Sequence, residues 1–138
     1  MDNEKIQQLS EQAGAMLDEG YHCSEAMLWA GRQLFPQQIS PEMQRLTTPF
    51  AGGIGGTNED ICGALAGAIM VIGAGYGRQD GISEDSECQN IAQSSSRYLK
   101  KNSDTPVAAI LKKIGAGNLV RKIVIFWYAR RANFYLNC

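Results

Sequence analysis

The chain contains a single histidine, His22, and none of its four cysteines sits in a Cys-x-x-Cys pair. Zinc ribbons are built on clustered cysteine pairs, so the spacing argues against that class. One histidine is a poor basis for Ser-His-Asp hydrolysis, and the Ser94-Ser95-Ser96 run has no base beside it. Neither G-x-G-x-x-G nor G-x-x-x-x-G-K-[ST] occurs. No apolar run reaches the roughly 20 residues that a membrane span needs; the most apolar stretch, Ile61 to Gly75, is shorter and rich in Gly and Ala. The opening residues carry Asp2, Glu4 and Glu11 in place of a basic stretch followed by an apolar one, which argues against a secretory signal and for a cytoplasmic protein. In that compartment thiols are kept reduced, so the cysteines are expected to be core residues, metal ligands or redox thiols rather than structural disulfides.

What is present is a globular composition. At 138 residues and 44% hydrophobic, the chain is expected to fold as a single domain, 1–138, with its own core. The formal net charge of −1 argues against a strongly basic nucleic-acid binder, but it averages two unlike parts. Residues 1–96 hold 13 acidic and 4 basic side chains, a net of −9; residues 97–138 hold 1 acidic and 9 basic, a net of +8. The end of the chain, 102–138, reads as a divergent segment that is basic and aromatic.

The periodicity is helical almost throughout, and the predicted fold is all-α: a compact bundle of about five to seven helices. Ile6, Leu9, Ala13, Met16 and Leu17 share one face of a first helix that Gly20 stops. A second helix buries Ala26, Met27, Ala30 and Leu34 and ends at Pro36. Ser40-Pro41-Glu42 opens a short third helix that ends near Thr48-Pro49. A glycine loop, Phe50 to Asn58, then leads into a central Gly/Ala-rich apolar helix expected over about 59–75. Thr57 or Asn58 would cap it, Glu59 and Asp60 would face its N-terminal dipole, and Gly73, Gly75 and Gly77 would close it. Its Gly63, Ala64, Gly67 and Ala68 let neighbouring helices come close. Ser83-Glu84-Asp85 opens a fifth helix through Ile91, Ala92, Tyr98 and Leu99. Thr105-Pro106 opens a sixth and Asn118 a last one, Leu119 to Leu136, where the crowd of β-branched and aromatic residues also admits a strand.

Two cysteines fall at predicted helix starts, Cys23 after Gly20-Tyr21-His22 and Cys62 shortly after Asn58. Free N–H groups and the positive end of the dipole stabilise a thiolate there, lowering the pKa from about 8.5. Cys23 and Cys62 are therefore candidates for a reactive pair, with His22 placed to exchange a proton or a hydrogen bond with the nearer thiol. The competing chemical reading is a metal site gathered from distant helices, in which Cys23, Cys62 and Cys88, with His22, would hold an iron-sulfur cluster or another soft metal. The plain reading is that these are ordinary buried cysteines. Gly52, Gly53, Gly55 and Gly56 could cradle an anion with backbone N–H groups, although Glu59 and Asp60 would repel a phosphate; a tight turn that brings Cys62 against another backbone is favoured.

These residues resemble a known family. Gly20-Tyr21-His22-Cys23-Ser24-Glu25-Ala26 is similar to the G-x-x-C-[S/A]-x-A opening of the C_GCAxxG_C_C family of redox-active proteins. Phe50 to Gly56 and then Cys62-Gly63-Ala64-Leu65-Ala66-Gly67-Ala68-Ile69-Met70 resemble its central segment, and Gly73 and Tyr76-Gly77 extend the likeness, which covers residues 5 to about 101. The resemblance implies a small helical protein with a role in electron or thiol redox chemistry. The family's two downstream cysteines have no counterpart in Val107-Ala108-Ala109-Ile110-Leu111, and Cys88 and Cys138 stand outside its contexts. The Cys23/Cys62 pair remains. The function expected is thus a redox protein acting through these thiols, as dithiol/disulfide or redox-metal ligands, with an unidentified redox partner. The alternative is a non-catalytic interaction or homo-oligomerisation module that uses the basic amphipathic tail, Leu119 to Leu136.

Overall fold

The computed structural model describes residues 3–101, and the side chains of residues 3, 6, 7 and 98–101 fall outside that description. The predicted sixth and seventh helices and the tail 102–138 also lie outside the described residues. Four α-helices and two 3-10 helices make up the described chain, with no strand among these residues: α1 (Asn3–Asp18), α2 (Cys23–Arg32), the 3-10 helices Pro41–Leu46 and Thr48–Phe50, α3 (Gly63–Tyr76) and α4 (Ser86–Lys101). The all-α expectation holds.

The end of α1 is set by Gly20, whose φ of 93° is open to glycine at little cost. The N–H of Tyr21 reaches the Met16 carbonyl and that of Gly20 the Leu17 carbonyl, a Schellman closure that turns the chain directly into α2. Leu9 and Ala13 face the core from α1, and Ala26, Met27, Leu28 and Ala30 from α2.

The contact between α2 and α3 is built in layers four residues apart. Cys23 lies against Gly63, Met27 against Gly67, Val71 against Gly31, and the Phe35 ring, just past α2, against Gly75. The pairs advance together along both helices, so α2 and α3 run parallel with their N-termini side by side. Every layer opposes one glycine to a larger side chain, and a methyl group on any of these glycines would overlap its partner. Gly67 lets α3 come within reach of the Ser24 main chain as well. Phe35 also meets the edge of Tyr76, with ring centroids 6.2 Å apart.

Parallel neighbours need a connection that returns the chain to the starting end, and the two 3-10 helices supply it. The short third element was expected as an ordinary helix. It is instead a pair of 3-10 turns, because Pro49 offers no N–H to a continuing α ladder and the segment is too short to nucleate one. The central helix also begins later than expected, at Gly63 rather than about 59. Asn58 is left-handed, at φ 58°, which is incompatible with the extended backbone of a cap, and the N-cap falls instead at Cys62, with φ −55° and ψ 134°. Glu59 and Asp60 are therefore exposed loop residues. Gly73 and Gly75 lie inside α3, which Gly77 closes by donating its N–H to the Gly73 carbonyl.

The turn into α4 is held by Asp80, which accepts hydrogen bonds from the N–H groups of Ile82 and Ser83 and from the Ser83 hydroxyl. Those bonds hold its carboxyl below the usual aspartate range, the Ser83 hydroxyl contributing most. Arg78 pairs with Asp85 across the same turn at 3.6 Å. From α4, Cys88, Ile91 and Ala92 pack onto the core, and Ser95 is buried with its hydroxyl bonded to the Ile91 carbonyl.

Candidate thiol site at the paired helix starts

Because α2 and α3 start side by side, Cys23 and the residue after Cys62 meet. Cys23 is the first residue of α2, and Cys62 is the N-cap of α3. The Cys23 sulfur rests against the Gly63 main chain, 2.6 Å from where a β-carbon would stand. Cys62 immediately precedes Gly63 in the chain, the Cα atoms of these two neighbours about 3.8 Å apart. Cys23 is buried, whereas Cys62 is half-buried at the rim of the core cluster. Neither is in a disulfide.

The first turn of α2 is clamped onto the 3-10 segment. The buried Ser24 hydroxyl donates to the Thr47 carbonyl at 2.7 Å, and Gln44 donates to the Glu25 carbonyl at 2.7 Å. The Glu25 carboxylate accepts the His22 backbone N–H at 2.8 Å and the Thr48 hydroxyl at 2.5 Å. Sequence reasoning missed this clamp. Its one legible signal is Glu25, three residues after the cap His22, the spacing of a capping box. His22 itself is exposed.

The approach to Cys62 is made by the glycine loop. Gly52, Gly53, Ile54, Gly55 and Gly56 all have positive φ, between 51° and 77°. Five consecutive residues in this region make a single left-handed turn, which only a glycine-rich segment forms without a large penalty. Its N–H groups close on the chain's own carbonyls: Gly55 to Pro49, Gly56 to Ala51, Thr57 to Ile54 and Asn58 to Gly52. The Thr57 hydroxyl adds a bond to the Gly53 carbonyl. Gly55 and Gly56, two of the four glycines considered for an anion cradle, are thus engaged internally. The Phe50 carbonyl at the start of the loop also presses on Gly63, 2.7 Å from the same β-carbon position. Ile54 and Ile61 are exposed along this edge.

Cys88 lies partly buried on α4. Among the described residues no three His, Cys, Asp or Glu side chains form a group able to hold a metal ion. The expected set of Cys23, Cys62 and Cys88 with His22 does not form such a group there. Cys138 lies outside the described residues. A separate open groove of about 530 Å³ runs between α1, α2 and the first 3-10 helix, lined by Met16, Tyr21, Trp29, Arg32 and Gln44 among others; neither Cys23 nor Cys62 lines it. Among the described residues no helix is long and apolar enough to cross a membrane.

A protein-family model described as "Putative redox-active protein (C_GCAxxG_C_C)" matches residues 21–122. The match starts later than the expected residue 5 and runs past Asn102, so residues 102–122, set apart above as divergent, fall inside the family's span. The chain matches no curated protein and no solved structure.

Proposed function

Since the chain belongs to the C_GCAxxG_C_C family, whose description is redox-active, we propose that it is a thiol-based redox protein in which Cys23 and Cys62 cycle between dithiol and disulfide. The observation that carries this reading is the seating of the Cys23 sulfur on Gly63, the residue next to Cys62. A disulfide requires Cα atoms within about 7 Å, and few pairs of helices can offer it between their first residues. Parallel helices with a glycine at the point of contact can.

The same arrangement favours reactivity. Both cysteines occupy helix starts, Cys23 as the first residue of α2 and Cys62 as the N-cap of α3, where the positive ends of the helix dipoles lie. Two such ends side by side act together on one small volume. His22, exposed at the cap of α2, is the group available to relay a proton to solvent. The glycine loop's role in this reading is to hold Cys62 at the end of a closed turn. The reducing cytoplasm is the compartment in which such a pair would cycle.

The test is a titration through graded dithiol/disulfide buffers, with alkylation counting the thiols left. The expected result is the loss of two thiols together in a single two-electron transition, abolished by Cys23→Ser or Cys62→Ser and preserved in Cys88→Ser. Independent loss of single thiols would refute the reading.

A further inference from the structure

Resting on the dithiol reading, we infer that Cys62 is the attacking thiol and that the disulfide it takes is cationic or neutral beside its sulfurs, not anionic. Of the two thiols only Cys62 stands at the rim; Cys23 is enclosed between Gly63 and the core. Any substrate sulfur therefore meets Cys62 first.

Among the described residues, the segments that form this end are short of positive charge. No Lys or Arg occurs in residues 6–31 or 46–77, the stretches that hold both cysteines, the glycine loop and α3. Glu59 and Asp60 are exposed three and two residues before Cys62. Glu25 is fixed within the first turn of α2 by its bonds to His22 and Thr48. The 3-10 segment adds Glu42 and Arg45, which offset each other. Two and three residues of chain reach at most about 7 and 11 Å, comparable with the Debye length of about 10 Å at 0.1 M salt, so Asp60 and Glu59 repel an anion and attract a cation at the distance where the encounter forms. Exposed Ile54 and Ile61 on the same edge offer apolar contact to the substrate's flanks.

The chemistry balances with the disulfide as the oxidant. The Cys62 thiolate attacks one substrate sulfur, the substrate S–S bond breaks, and the first half leaves as a thiolate that takes a proton from solvent. Cys23 gives its proton to solvent and attacks the Cys62 sulfur, releasing the second half as a thiolate. The substrate gains two electrons, and the protein is left with the Cys23–Cys62 disulfide.

The experiment uses the full reduced chain and three probes: dicationic cystamine, neutral hydroxyethyl disulfide and anionic glutathione disulfide. Rates of thiol loss at Cys62 are followed in the tryptic peptide 46–78, at about 0.01 M and about 1 M salt. The expected ratio of cystamine to glutathione disulfide rates falls about tenfold between the two salts, and by a similar factor in Glu59→Gln/Asp60→Asn at low salt. The hydroxyethyl disulfide rate stays level throughout. A ratio unchanged by salt and by the double substitution overturns this inference and leaves the dithiol reading standing. Failure of all three disulfides to react at Cys62 overturns both.

Discussion

The Cys23 sulfur lies 2.6 Å from the position a β-carbon on Gly63 would occupy. The Phe50 carbonyl approaches the same point at 2.7 Å, so glycine is the one residue type at position 63 that lets a thiol, a loop and a helix start converge. Gly63→Ala is expected to destabilise the fold by about 1–3 kcal/mol, because the Phe50 contact is backbone and cannot swing aside. It should also raise the alkylation rate of buried Cys23 as the contact opens. A denaturant melt and a thiol-trapping time course check both outcomes.

The parallel register of α2 and α3 makes a second prediction. The γ-carbons of Val71 lie 2.1 and 2.7 Å from a β-carbon built on Gly31, so Gly31→Ala should cost about 1–3 kcal/mol. Val71→Ala is destabilising alone, since Val71 is buried, yet the double variant should lose less than the sum, with a coupling of at least about 0.5 kcal/mol. Gly14, in the middle of α1 with nothing within 4 Å of its β-carbon position, is the contrast: Gly14→Ala should stabilise by about 0.5–1 kcal/mol. Additive losses at 31 and 71 would refute the register.

The left-handed turn carries a β-branched residue, Ile54, at φ 57° and 42% exposed. Left-handed backbone costs an L-residue about 1–2 kcal/mol, more for a β-branched one. Ile54→Gly is therefore expected to raise stability by about 1 kcal/mol. Gly55→Ala and Gly56→Ala, which have open space around them, should each lower it by about 1 kcal/mol through conformation alone. Thermal or urea unfolding of the three variants reads the sign directly.

Much of this was legible in the residues. Gly20 as the stop of α1, the small residues of α3 as a close-packing face, and Cys23 at a helix start follow from local rules that tertiary structure did not override. The late start of α3 was not legible, because Asn58 caps helices in its extended form and here is left-handed, a choice made by the whole glycine turn. The four-residue layering was hidden for another reason. Gly31 and Gly75 look like helix breakers singly, and only the pairing with Val71 and Phe35 explains them. The clamp of Ser24, Glu25, Gln44, Thr47 and Thr48 joins residues far apart in the chain through bonds that no periodicity encodes.

The central claim is the pairing of Cys23 with Cys62, and peptide mapping after mild oxidation tests it most directly. Trypsin places the four cysteines in separate peptides: residues 6–32, 46–78, 79–97 and 132–138. Mass spectrometry of the oxidised, alkylated and unreduced digest should show peptide 6–32 joined to peptide 46–78, with Cys88 alkylated as a free thiol. A link from Cys62 to Cys88 or Cys138, or four alkylated thiols after oxidation, would contradict the account.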